Sequence, residues 1–531
     1  MGSRSFINSM ETSATLNHAV PELGPGARII RKRRTSSRFT DSLAWSFIAF
    51  AIVATAFLSV PSGHQYPGAL VSAFVFFLVQ GLLPACRPVS AKLLCPWNWA
   101  LFVFFLQLVL LPLSVLMFGP SQGVLPFLPS DRAINLAMLI NTAAFVAFCA
   151  TYAFFARRSE IRRYSSAFEQ DSRVGGRGPS LAYIALNGVL GFAGLFFAFG
   201  NLSNVAEYFS DPAAYLSRVA DVSDKLGPAA ANFLRPFLGS CVVMLWCGWL
   251  QRKLSHKTKG FSGLVTTVAI LAVCLSNATF NYNRGSIVVP LVAMFAVIVS
   301  GPSRVPWRTV VSAAVILLMV LLLLPVYGVY RSNNFTAQEF FNDPSVPDLV
   351  ADKVELTEMF QVYGGAPQFL GFFLETGGWG ADPQWGKVLV SSALTPIPIL
   401  GKPFRENSGT AIYNRMIYGV PDILDQIAPF QGEAFLDFHL AGVLAGFSLL
   451  GWIAFKFQTA FAQSHTFFEL FIWQYFSVWT FVLIFGSLSV TSQIYIFFCW
   501  PFYLYFVSRS LQSRPGRSPA RAPYERRLAR S

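Results

Sequence analysis

Read by its apolar and polar positions, the chain is a succession of long apolar runs joined mostly by short polar links. A run of about 17–25 apolar residues is long enough to cross a bilayer as a helix. Twelve runs stand out, at roughly 43–60, 69–86, 99–118, 134–156, 181–200, 228–250, 262–280, 286–301, 309–330, 432–455, 467–486 and 490–507. The last two are divided by a short break at Gly486-Ser487. In lipid a helix satisfies its own backbone polar groups, so a helical bundle is the expected form. The pattern therefore predicts an all-α, polytopic integral membrane protein with about 12 transmembrane helices.

One link breaks the rule of short connections. Residues 331–431 separate the ninth run from the tenth, and loops of that length are usually functional. The loop is not uniformly polar. The stretches Gly364–Leu374 and Val388–Leu400 are apolar but too short to span, which predicts re-entrant or interfacial helices that fold back and roof a cavity. The expected organisation is a disordered basic tail over 1–42 and nine spans over 43–330. The long loop over 331–431, three spans over 432–507 and a second disordered basic tail over 508–531 follow.

Composition agrees with this division. Of 531 residues, 54% are hydrophobic and 12% charged, about half the charged share of a soluble domain, and the mean hydropathy is +0.50. The net charge of +14 would suit nucleic acid, but its distribution argues otherwise. With both termini placed in the cytoplasm, 29 of the 40 Lys and Arg residues fall on the cytoplasmic side. The opposite side keeps 11 basic residues against 18 acidic ones. The positive side then faces anionic lipid, and no nucleic-acid partner is expected. The first apolar run begins only near Leu43, after a basic tail, so it reads as a retained anchor rather than a cleaved signal. The seven Cys lie in or beside apolar runs, which favours packing over a disulfide framework or zinc. No P-loop, dinucleotide fingerprint or clustered metal-ligand spacing is present, so no cofactor or metal is called for.

Ionisable residues gather at the outer ends of the helices rather than at mid-membrane. Arg284 lies in the tight link Asn281–Gly285, Arg331 closes the ninth run, and Lys402, Arg405 and Arg415 follow within the long loop. Glu433, Asp437 and His439 open the tenth run, and Glu433 and Asp437, four apart, share a helix face. Each has a plain structural reading: snorkelling for the cations, a first-turn carboxylate for Glu433, packing for His439. Together they offer a chemistry. Guanidinium and ammonium groups bind phosphate oxygens and stabilise a departing diphosphate. A carboxylate or imidazole nearby could take the proton of an attacking hydroxyl. Those are the needs of glycosyl transfer from a polyprenyl-diphosphate sugar.

Three stretches resemble the Wzy-type oligosaccharide repeat-unit polymerases of bacteria. They are Tyr282-Asn283-Arg284-Gly285-Ser286, then Thr395-Pro396-Ile397-Pro398 with Gly401-Lys402-Pro403, then Gly432-Glu433-Ala434-Phe435-Leu436-Asp437-Phe438 leading to Gly442. Their order and the long loop ahead of the third also match, over about 282–450. The resemblance implies a glycosyltransferase C-like fold in the bacterial inner membrane, both termini cytoplasmic and the long loop periplasmic. It implies polymerisation of undecaprenyl-diphosphate-linked oligosaccharide repeat units, with Arg284, Arg331 and Lys402 on the diphosphate and Glu433 as base or orienter. Membrane lipids, a chain-length regulator and a flippase are the further partners such a role implies. An O-antigen ligase using the same donor, and a lipid-linked glycan flippase or export subunit, stand as alternatives.

Overall fold

The computed structural model describes residues 43–59, 66–82, 94–158, 178–210, 226–255, 262–280, 284–300, 307–332, 337–353, 361, 366–378, 380, 382–397, 400–420 and 428–512. Among them the secondary structure is helical, without strands. In chain order the helices are α1 (Leu43–Ser59), α2 (Pro67–Leu82), α3 (Pro96–Phe118), α4 (Asp131–Arg158), α5 (Leu181–Phe199), α6 (Leu202–Ser210) and α7 (Leu226–Ser255). Next come α8 (Ser262–Phe280), α9 (Arg284–Ser300) and α10 (Trp307–Ser332). The long loop carries α11 (Ala337–Asn342), α12 (Val346–Lys353), α13 (Pro367–Phe373), α14 (Lys387–Leu394), a 3₁₀ turn (Lys402–Asn407) and α15 (Gly409–Tyr418). The chain closes with α16 (Phe430–Ala462), α17 (Phe467–Val482), α18 (Leu488–Phe498) and α19 (Trp500–Gln512).

A helix lies on each of the twelve apolar runs. Among the described residues five are long and apolar enough to cross a membrane, and α18 with α19 makes a sixth if that pair, bent by 57°, is one span. Shorter apolar helices lie at Leu43–Ser59, Pro67–Leu82, Leu264–Asn277, Ile287–Ser300 and Val310–Val320. The outward surfaces are apolar as well. α5 buries only 17% of its most apolar window and turns Val189, Phe192 and Phe196 outward, a face that water would not tolerate at this extent. The protein is a multi-pass α-helical membrane protein. The run at 490–507 departs from expectation, because it breaks between α18 and α19. Cys499 leaves the helical path and Pro501, lacking an N–H, sits in the first turn of α19. The basic segments expected to be disordered, 1–42 and all but the first few residues of 508–531, lie outside the described residues.

The centre of the bundle is α17, buried at most of its positions, with Phe468, Phe471, Ile472 and Phe481 among its apolar residues and Gln474, Ser477 and Thr480 among its polar ones. It packs against α3, α7, α9 and α16. α4 and α16 form another extensive pair, and their backbones meet where a Cβ on Gly451 would overlap the Phe148 carbonyl. Polar groups link helices inside this apolar frame. Ser72 and Thr142 share a 2.8 Å hydrogen bond between α2 and α4, and the Trp99 indole donates to Gln474 at 2.9 Å between α3 and α17. The long loop lies on this frame. α13 is buried at every position from Pro367 to Phe373, so the apolar stretch expected to fold back over 364–374 carries an internal helix. The Tyr413 hydroxyl of α15 donates to the Phe369 carbonyl at 3.1 Å, which fastens α15 to α13. Burial pushes that hydroxyl well above its ordinary pKa.

Candidate functional site

The first turns of α16 are the meeting point of the long loop and the bundle. Phe430 donates its backbone N–H to the Gly486 carbonyl at 2.8 Å, and the Gln431 amide donates to the Ile484 carbonyl at 3.2 Å. These bonds anchor the start of α16 on the turn between α17 and α18. From that anchor, positions four apart face one way. Glu433 and Asp437 both point into the loop helices, and both are fully buried.

Glu433 joins three elements. Its Oε1 accepts from the Ser392 hydroxyl of α14 at 2.8 Å, and its Oε2 accepts from the Leu488 N–H at 2.7 Å, in the first turn of α18. The Ser392 oxygen in turn accepts from the Gly409 N–H, the first residue of α15, at 2.9 Å. Glycine is required there, because a Cβ on Gly409 would overlap the Glu433 side chain. Asp437 does a related job for α14. Gly386, which precedes that helix, has no capping side chain, and Asp437 supplies the cap from α16. Its Oδ1 accepts from the Val388 N–H at 3.0 Å and its Oδ2 from the Leu389 N–H at 2.7 Å. Helix N-termini present unpaired N–H groups, and two of them, those of α14 and α18, donate directly to the two buried carboxyl groups, while that of α15 reaches Glu433 through Ser392.

Immediately beyond Asp437 the helix breaks. Phe438 (φ −144°, ψ 21°) and His439 (φ 51°, ψ −144°) leave the helical region, so α16 is two helices joined at a kink. The tenth run remains one candidate span, Phe430–Ala462, but it is kinked at its start rather than straight. The physical cause is tertiary. The carbonyls of Leu436 and Asp437 accept from the N–H groups of Gln384 (3.0 Å) and Trp385 (3.1 Å) instead of from their own helix. Gly442 lets the second half lie close against the first, since a Cβ there would overlap the Ala434 carbonyl. His439 is half-buried at this kink, its ring edge-on to Phe435 at 5.3 Å. It is the most accessible of the three residues expected to handle protons.

The cations are distributed differently. Lys402 and Arg405 are exposed on the 3₁₀ turn, which packs against α14 and α15, and Arg415 is exposed in the last turn of α15. Through Gly409, this cation-bearing stretch is tied to Glu433. Arg284 opens α9 and Arg331 lies near the end of α10, but their side chains lie outside the described residues. The structure thus brings Glu433, Asp437 and His439 together on one segment, with the Lys402–Arg415 stretch against it. Two residues escaped sequence reasoning. Ser392 bridges Glu433 to α15, and nothing in its sequence setting marks it. Arg235 is buried in α7, its guanidinium 4.8 Å over the Phe498 ring. Its signal was available: an Arg-Pro pair inside the apolar stretch Phe233–Phe237. Among the described residues no group of three His, Cys, Asp or Glu is placed to hold a metal.

Compared with protein-family models, curated proteins and solved structures, the chain matches none.

Proposed function

We propose that the chain is a glycosyltransferase C-like polymerase of the bacterial inner membrane. It joins undecaprenyl-diphosphate-linked oligosaccharide repeat units into a surface polysaccharide at the periplasmic face. The observation that supports this reading best is the hydrogen bond between Ser392 and Glu433. It ties the segment leading into the second Wzy-like stretch, Thr395–Pro403, to the third, Gly432–Phe438. Two motifs recognised separately in sequence therefore belong to one place. In this reading the twelve apolar helices are twelve crossings with both termini cytoplasmic, and the long loop is periplasmic.

The geometry divides the roles. Lys402 and Arg405, with Arg284, Arg331 and Arg415, neutralise the donor diphosphate and its departing charge. His439, half-buried at the kink, accepts the proton of the attacking hydroxyl. Glu433 and Asp437 already accept hydrogen bonds at both carboxylate oxygens, so they orient the loop against α16 rather than meet substrate. The growing glycan leaves its lipid diphosphate and is joined to the next lipid-linked unit.

Deleting the gene and separating surface and lipid-linked glycans by size tests the proposal. Collapse of a long ladder to a single-repeat band supports polymerase. Long chains retained on the lipid carrier would assign a ligase, and single units trapped on the cytoplasmic face would assign a flippase.

A further inference from the structure

Among the described residues, two non-glycine positions have φ in the left-handed region, Trp385 at 52° and His439 at 51°. They flank the same junction. Bulky residues hold such a backbone only where the surroundings over-determine it. Here the surroundings do. Gln384 and Trp385 donate their N–H groups to the carbonyls of Leu436 and Asp437, and Val388 and Leu389 donate theirs to the Asp437 carboxylate. What this clamp displays is an indole that is 77% exposed.

The indole stands on a border. Beside it in the chain are the exposed polar residues Asp382, Gln384 and Lys387. Across from it, 6.1 Å away and edge-on, is Phe438, itself 39% exposed. Phe438 begins an outward apolar stripe along α16 that continues through Leu440, Leu444, Leu449 and Trp452. The stripe ends at Lys456, whose ammonium lies 5.5 Å over the Trp452 ring. Beyond the kink, from Leu440 to Lys456, the helix rises about 24 Å, most of the roughly 30 Å of a bilayer's hydrocarbon core. An apolar stripe of that length, with an aromatic ring and a lysine at each end, has the form of a surface that crosses both membrane–water interfaces.

The geometry points to Trp385 as a membrane-interface anchor, its ring seated at the headgroup level of one leaflet with Lys387 toward the lipid phosphates. The occupant of this surface is phospholipid, because the stripe is continuous with the outward face of a helix long and apolar enough to span. Asp437 is then a positioning residue: its buried carboxylate holds α14 so that the indole meets the bilayer. The inference stands apart from the polymerase reading and needs no catalytic role for any residue.

The test uses the full chain in phosphatidylcholine–phosphatidylglycerol vesicles. Subtracting the emission of W385F from that of wild type isolates Trp385. The expected difference emission is blue-shifted and lost when the lipids carry bromine near the headgroup end of the acyl chain. Deep bromine should affect it less, and aqueous iodide should leave it unchanged. Quenching by iodide with no response to bromine would place the ring in water and overturn the inference. So would a difference emission that shifts on adding soluble oligosaccharide, which would make Trp385 a glycan platform. W452F, at the other end of the stripe, should reproduce the bromine pattern. Should W385F fail to fold, W385Y replaces it in the subtraction.

Discussion

Two segments of this protein are buried to a similar degree with different emphasis. α17 is buried mainly by rings and aliphatic chains, among them Phe468, Phe471, Ile472 and Phe481, with Glu469, Gln474, Ser477 and Thr480 as its buried polar positions. The start of α16, Phe430–Asp437, is buried at every position too, yet it includes Gln431, Glu433 and Asp437. Dispersion and apolar packing are sums of many small contacts, so a small change in shape costs little and can be absorbed by neighbours. A buried carboxylate is different in kind. Its donors have no other partners, and removing it leaves each of them unpaired away from water. The centre of the bundle should therefore be tolerant, and the junction of loop and bundle should not.

Glu433 provides the sharpest way to break this comparison. Glu433→Ala would leave the Leu488 N–H and the Ser392 hydroxyl without their acceptor and open a cavity where three helices meet. The expected loss is about 3 kcal/mol, read as a fall in thermal unfolding temperature of the purified protein in detergent. Glu433→Gln keeps one acceptor oxygen and should cost about half as much. A Glu433→Ala protein as stable as wild type would refute the capping account. Gly409→Ala should follow, at about 1–3 kcal/mol, because the new methyl group competes with Glu433 for space. Asp437→Ala should cost about 1–2 kcal/mol, the usual worth of an N-cap. In α17, Ile472→Val should cost about 0.5–1.5 kcal/mol, although Ile472 is just as deeply buried. If the α17 change proved the more damaging, the two segments would not differ as argued.

The same contrast explains which features could be read from the chain. Apolar run length is read directly, and a helix lies on each of the twelve runs, five or six of them long and apolar enough to cross a membrane among the described residues. The Glu433–Asp437 spacing was legible as a shared face, and the face exists. Their partners were not legible. Val388, Leu389 and Leu488 contribute backbone N–H groups, which every residue except proline has, from 48 to 55 positions away. The kink at Phe438–His439 was hidden for a related reason. No proline or glycine occupies it, and its cause is the Gln384–Trp385 loop that takes over the freed carbonyls. The break before α19 did carry a local mark, Pro501, and Arg235 carried another in Pro236. Both marks are masked by the high average hydropathy of the runs in which they sit.

The smallest expected effect on stability belongs to the exposed cations, and it separates folding from chemistry. Lys402 and Arg405 face outward on the 3₁₀ turn. The double substitution Lys402→Ala with Arg405→Ala should leave the unfolding temperature almost unchanged, within about 0.5 kcal/mol, as for other surface changes. If these side chains bind the donor diphosphate, the same variant should lose the long glycan ladder while the protein stays folded and abundant in the membrane. Glu433→Ala should lose the ladder by another route, through loss of folded protein. Measuring ladder length and folded abundance together distinguishes the two. A ladder of full length from the Lys402/Arg405 variant would remove the diphosphate role and leave the 3₁₀ turn as a structural prop between α14 and α15. A lost ladder with unchanged abundance would make this exposed stretch, rather than the buried carboxylates pinned beneath it, the part of the junction that meets substrate.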